Sequence, residues 1–170
     1  MKTKRYLSFT RHPEEKEVLE NWWREFKNNP GDRAALRRCR SAAEVAFVPY
    51  FHQLRLDLVK IAYVQPQSLA RVVGVLSHVK DYDESNARSI AQQMAAKKDG
   101  SDQARVSDLR FRRLLAIDDA DELYGPMIRI IRLLGGGADI PSLADGIYWW
   151  NDRTKNTWAY DYYSEAPVKK

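Results

Sequence analysis

A single cysteine, Cys39, rules out an intramolecular disulfide framework and suits a reducing, cytoplasmic setting. No apolar run approaches the 18 residues of a membrane-spanning helix. The start, MKTKRYLSFTRHPEE, is basic, but no apolar h-region follows, so no secretory signal is expected. Metalloprotease HExxH, paired CxxC and P-loop motifs are all missing. The three histidines, His12, His52 and His78, have no suggestive spacing from one another or from Cys39. His52 lies among core positions and reads as structural. Runs of alternating β-branched residues are also wanting, which removes the usual signature of strands.

What is present is a soluble, basic composition. Apolar residues make up 44% of the 170 and charged residues 30%, with net charge +5. Those values fit a folded domain long enough to bury a core and favour polyanionic partners. Residues 1–60 carry 13 Lys/Arg against 8 Asp/Glu, residues 61–98 carry 5 against 3, and residues 99–170 carry 10 against 12. A basic surface in the last segment therefore requires its charges to be segregated onto one face.

Helical periodicity dominates. Pro13 opens a helix with Val18, Leu19, Trp22, Trp23 and Phe26 within an arc of about 140°, ended by Asn28-Asn29-Pro30-Gly31. Trp22 and Trp23 read as core and its shoulder. Asp32 is the expected cap of a second helix, on which Arg33, Arg37 and Arg40 share a stripe within about 60°, with Arg38 pointing elsewhere. Ser41 to Glu44 has capping-box form. Pro49 and Pro66 start further helices, Arg71 facing out of the second. Ala87–Lys97 reads as another, and residues 99–102 are a break. Ser107 then caps a helix with Phe111, Leu114 and Leu115 inside, Arg110 and Arg113 on one flank and Arg112 on the other. Asp119 and Glu122 start the next, with Met127, Ile130 and Ile131 inside and Arg129 and Arg132 opposite. Gly135–Gly137 stops it; this glycine run lacks the context of a phosphate loop. Asp139 and Pro141 lead into Leu143, Ile147 and Trp150, and a last helix carries Trp158, Tyr160, Tyr162 and Tyr163. The expected fold class is all-α, about eight or nine helices packed as two helical halves, residues 1–98 and 103–170.

Arginine donates bidentate bonds to phosphate and stays charged, so its three groups suggest a groove that tracks a nucleic-acid backbone without reading sequence. The plainer alternative for each is a solvated face, and the helical wheel leaves open whether the groups share a surface. The acidic clusters Asp81/Asp83/Glu84 and Asp118/Asp119/Asp121/Glu122 are each local, whereas two-metal catalysis needs carboxylates converging from several elements. No metal, cofactor or catalytic residue is expected; a small nuclease or hydrolase using Asp118 or Asp119 is the weakest reading.

The Trp22-Trp23 helix, GDRAALRRCRSAAEVAFVPYFHQL at 31–54, VSDLRFRRLLAIDDADELYGPMIRIIRLL at 106–134, IYWWND and WAYDYY together resemble the CasB family, the small subunit of the type I-E CRISPR surveillance complex, Cascade. The resemblance implies an all-helical, non-catalytic subunit of antiviral defence. Its implied partners are the backbone and large Cascade subunits, a second copy of itself, crRNA and target DNA, including single-stranded DNA, with no membrane. In such complexes the small subunits stabilise the guide RNA–target DNA R-loop, and base pairing reads the sequence. Arg37, Arg38, Arg110, Arg113, Arg129 and Arg132 match the family's basic positions. Arg33, Arg40, Arg112 and Arg71 are further candidates. The alternative is a helical scaffold whose basic face binds acidic proteins without touching nucleic acid. Asp108, Asp118 and Asp145 are candidate internal partners for the C-terminal arginines.

Overall fold

Prolines set most of the early helix starts. In the computed structural model, which describes residues 3–167, Pro13, Pro30, Pro49 and Pro66 each occupy the first turn, where a missing N–H costs nothing. These helices are α1 (Pro13–Arg24), α2 (Pro30–Arg38), α4 (Pro49–Val59) and α5 (Pro66–Leu76), with a short α3 (Ala42–Val45) between the middle two. Later starts use side-chain caps. Ser89 caps α6 (Ile90–Ala95), Ser107 caps α7 (Asp108–Leu115), Asp139 caps α9 (Ile140–Tyr148) and Asn151 caps α10 (Asp152–Glu165). Between α7 and α9, α8 (Tyr124–Leu133) ends in Gly135 and Gly136, both at positive φ, whose N–H groups close onto Arg132 O and Ile131 O. The described residues thus hold ten α-helices, and no helix among them is long and apolar enough to cross a membrane.

Several local expectations change. Asn29, not Asp32, occupies the cap position of α2, because Pro30 already begins the helix. Ser41 makes no side-chain cap; instead Glu44 reaches back to accept the Arg40 N–H at 2.7 Å. The helix expected over Ala87–Lys97 is confined to Ile90–Ala95, where Ser89 and Gln92 form a reciprocal capping box. After Asp119 the first turn, Ala120–Leu123, is 3₁₀. The arm before Pro13 contains a strand, β1 (Arg5–Tyr6), paired in parallel with β2 (Ala62–Tyr63).

α5 is the axis of the packing. Leu69 to Leu76 are buried except Arg71, and α2, α3, α4, α8 and α9 all pack on it. α6 lies on α10 and α1 on α4 and α9. Helices from before residue 98 and after residue 103 therefore contact one another directly, and one apolar cluster runs from Leu7 to Tyr162. The Val106–Leu134 stretch is tied into it by aromatic rings. Phe111 stacks on Tyr162 at 4.0 Å, Tyr162 Oη donates to Val106 O, and Trp150, packed edge-on to Trp158, donates to Ile117 O at 2.7 Å.

The arm is held from far away. Asp145 on α9 accepts from Phe9 N (2.7 Å), Thr10 N (3.0 Å), Ser8 Oγ (3.1 Å) and Thr10 Oγ1 (2.5 Å). Trp149 Nε1 donates to Leu7 O at 2.8 Å, and Arg5 meets buried Glu15 through two contacts of 3.2 and 3.3 Å. These bonds seat Leu7 and Phe9 fully in the core.

Candidate nucleic-acid interface

At 100° per residue, burying Phe111 and Leu114 turns Arg110 and Arg113 to one flank of α7. Burying Met127, Ile130 and Ile131 does the same for Arg129 and Arg132 on α8. The fold brings these two flanks together: all four arginines line one cavity of about 490 Å³, floored by Leu114, Ile117, Pro126, Ile130 and Leu133. Among the described residues, none of the four side chains belongs to an ion pair or hydrogen bond. The acids that might have neutralised them are engaged elsewhere. Asp118 meets Lys155 at 2.8 Å, and that ammonium holds its carboxyl below the usual range. Asp145 serves the arm, and Asp108 pairs with Arg112 at 3.1 Å. Arg112 is thus the one arginine of α7 spent locally.

The α2 arginines divide. Arg33 turns inward, Nε donating to Ser77 O at 3.1 Å and a terminal nitrogen to Val79 O at 3.0 Å. It satisfies carbonyls at the end of α5, where a cation is favoured by the helix dipole. Burial, then Arg37, pushes its pKa below the usual guanidinium value. Arg37 and Arg38 stay exposed with no ion pair among the described residues. Arg40 is exposed too, but Cys39 adopts an extended ψ of 132°, so Arg40 lies beyond α2 and the three-residue helical stripe does not form. Arg71 does not face outward as expected. Its side chain is 12% exposed and joins Asp121 (3.0 Å) and Ser68 Oγ (3.1 Å), fastening α5 to the turn before α8.

Both arginine groups bear on His78, a residue to which spacing drew no attention. It follows α5 and is half-buried. Its pKa is lowered to about 4 by burial first, then by Arg37 of α2, Arg132 of α8 and Arg33. Charge from α2 and from α8 is thus felt at one ring. The ring's proton affinity carries a pH prediction. A histidine depressed from 6.5 to about 4 binds more protons unfolded, so its contribution is intact above pH 6.5 and is lost as pH falls toward 4. The urea midpoint of the wild type, minus that of His78→Asn, is expected to decline across this window; a flat difference would refute the environment described.

The acidic clusters do not converge. Glu84 pairs with Arg24 at 3.0 Å, Asp83 accepts from Ser85, and among the described residues no three His, Cys, Asp or Glu side chains gather as metal ligands. His52 is hydrogen-bonded between Ala46 O and Arg55 Nε.

Comparison with known proteins follows the same architecture. A crystal structure of CasB from Thermus thermophilus superposes with TM-score 0.67 at 22% identity, covering 88% of this chain and 97% of that one. A chain of a crystal structure of E. coli Cascade bound to a PAM-containing double-stranded DNA target gives TM-score 0.57 at 22% identity, covering 88% and 94%. Curated protein sequences gave no match. The sequence profile of CRISPR-associated protein Cse2 matches residues 32–163, a span that takes in α5, the arginine groove and the Phe111–Tyr162 stack. On that match, which covers well over half of its length, the chain belongs to the CRISPR-associated Cse2 family.

Proposed function

We propose that the chain is a non-catalytic small subunit of a type I-E Cascade complex and that it stabilises the R-loop by holding nucleic-acid backbone. The observation that carries this reading is the groove: Arg110, Arg113, Arg129 and Arg132, from two helices, none of them in an ion pair among the described residues. Arg37 and Arg38, with Arg40 beyond the helix end, are further exposed cations of the proposed surface. Fixed guanidiniums bind phosphates without reading bases, as suits a complex in which a guide RNA does the reading. Arg33, Arg71 and Arg112 have internal partners and fall outside the site. The partners in this reading are the other Cascade subunits, a second copy of the chain, crRNA and target DNA.

A second reading is favoured by the apolar floor of Leu114, Ile117, Pro126, Ile130 and Leu133. An acidic amphipathic protein segment would bury its apolar face there and pair its acids with the rim. One variant separates the two readings. With Arg110, Arg113, Arg129 and Arg132 all changed to Ala, the log–log salt slope of single-stranded DNA binding should become shallower by roughly 3, four contacts at about 0.7 each. Arg112→Ala serves as control. An unchanged slope, together with lost assembly onto partner subunits, would establish the protein-docking reading instead.

A further inference from the structure

We propose that Tyr6, Tyr63 and Trp149, with Arg11 and Arg153 beside them, form a stacking site for unpaired nucleobases, distinct from the arginine groove. The fold otherwise hides most of its large rings. Trp22, Trp150, Trp158, Phe9, Phe26, Phe51 and Phe111 are all under 9% exposed. Tyr6 at 75%, Tyr63 at 58% and Trp149 at 38% are exceptions, and three separate elements bring them together. The parallel register places Tyr6 opposite Tyr63, with ring centroids 6.2 Å apart and planes at 51°. Tyr6 meets Trp149 at 6.4 Å and 79°. The rings touch by edges and at a tilt, unlike the core pair Phe111–Tyr162, whose planes lie 6° apart. Ring faces at the surface are therefore not used up on one another.

The platform is fixed before anything binds. The Trp149 indole is tethered to Leu7 O, and the strand bearing Tyr6 is held by Arg5–Glu15 on one side and Asp145 on the other. Preorganised rings lose little freedom on binding. Beside them opens a cavity of about 450 Å³ that begins at Tyr6 and Trp149 and is bordered by Arg11 and Arg153. Both arginines are exposed and neither is in an ion pair among the described residues. The cavity's two carboxylates are occupied, Asp145 by the arm and Asp161 by Ser89 Oγ at 2.9 Å.

The composition selects the occupant. Aromatic faces beside guanidiniums are the elements of single-strand binding, in which bases stack and phosphates meet cations. A duplex keeps its base faces stacked internally, and an apolar peptide would want the aliphatic floor that the arginine groove has and this cavity lacks. The two sites adjoin along the chain. Trp149 serves this one, while its neighbour Trp150 is bonded to Ile117 of the groove floor.

The test uses the full chain with three probes: a short homothymidine strand, an abasic strand of equal length and charge, and a duplex. Tryptophan emission is expected to be quenched by homothymidine and not by the abasic strand or the duplex, because Trp149 is the most exposed of the tryptophans. Tyr6→Ala with Tyr63→Ala should weaken homothymidine binding by roughly 5- to 150-fold per base lost while leaving the salt slope unchanged. Tyr6→Phe with Tyr63→Phe should retain binding. Both tyrosines are surface residues, so folding is preserved where a Trp149 variant would lose its bond to Leu7. Equal binding of abasic and thymidine strands, or alanine variants that bind like wild type, would overturn the proposal. So would alanine variants that lose only association with a protein subunit. An unchanged salt slope in the four-arginine variant, with quenching intact, would fail the groove reading and leave this site standing.

Discussion

Gly74→Ala is expected to be among the most damaging single-methyl changes in the molecule. A Cβ at position 74 would overlap Tyr124 Oη and lie 2.5 Å from Cε2 and 2.7 Å from Cζ. The ring has no easy retreat, since Tyr124 is buried and its hydroxyl donates to Cys39 O at 3.2 Å. Overpacking of this kind costs about 1–3 kcal/mol. Stranding the buried hydroxyl or the Cys39 carbonyl adds about another 1–3 kcal/mol. The gain in helix propensity, about 1 kcal/mol, opposes this without cancelling it. A net loss of about 1–5 kcal/mol is a large share of the roughly 5–15 kcal/mol that holds a domain of this size. Chemical denaturation should show a lower midpoint at constant slope. Combining Gly74→Ala with Tyr124→Phe should recover part of the loss; strict additivity would show that the Gly74–Tyr124 contact is not the cause. The contact also has a functional reach, because Tyr124 begins α8 and Cys39 follows Arg38. Displacing the ring loosens the Tyr124–Cys39 link between the two arginine-bearing segments, so under the proposed function DNA binding should fall even where the variant remains folded.

Asp145→Ala should cost about 3–5 kcal/mol. One carboxylate accepts four hydrogen bonds from the arm, two of them from backbone N–H groups, and one of those belongs to fully buried Phe9. Hydrogen bonds to a charged acceptor contribute about 1.5–3 kcal/mol each, less when lost together than when summed. The arm would detach, freeing the backbone at the already exposed Arg5 and Arg11 for trypsin and opening Leu7 and Phe9 to water. Asp145→Asn, which keeps one acceptor oxygen, should fall between. If Asp145→Ala left both the denaturation midpoint and arm cleavage unchanged, the arm would be held by its apolar residues alone. Because Tyr6 rides on this arm, base-dependent quenching should vanish with it.

Helix positions and buried faces were legible because they depend on local signals. Pro13, Pro49 and Pro66 start helices as expected, Gly135 and Gly136 stop one, and Phe111, Leu114, Met127 and Ile130 are inside. What local signals could not carry was the fate of each arginine. Arg33 and Arg37 share a stripe on a wheel, yet Arg33 is drawn in by two carbonyls at the end of a helix more than 40 residues later. Arg71 meets an acid 50 residues away. The convergence of Arg110 and Arg113 with Arg129 and Arg132 is likewise set by how α7 lies against α8, not by either helix alone. Strands of two residues are too short to show alternation, so β1 and the ring pair it creates left no pattern to read.

The bond between Phe9 and Asp145 spans 136 positions in the chain. At about 5–20 residues per second, a ribosome that has made Phe9 needs roughly 7–27 seconds to make its partner. Through that interval Leu7 and Phe9, both fully buried in the finished structure, lack the bonds that Asp145 and Trp149 supply to the arm. Helix contacts among α1 to α5 can form in the meantime. A segment synthesised before α1 is thus completed only after α9, and until then the nascent chain carries an apolar, basic arm whose last fastenings are missing and which chaperones and proteases can reach.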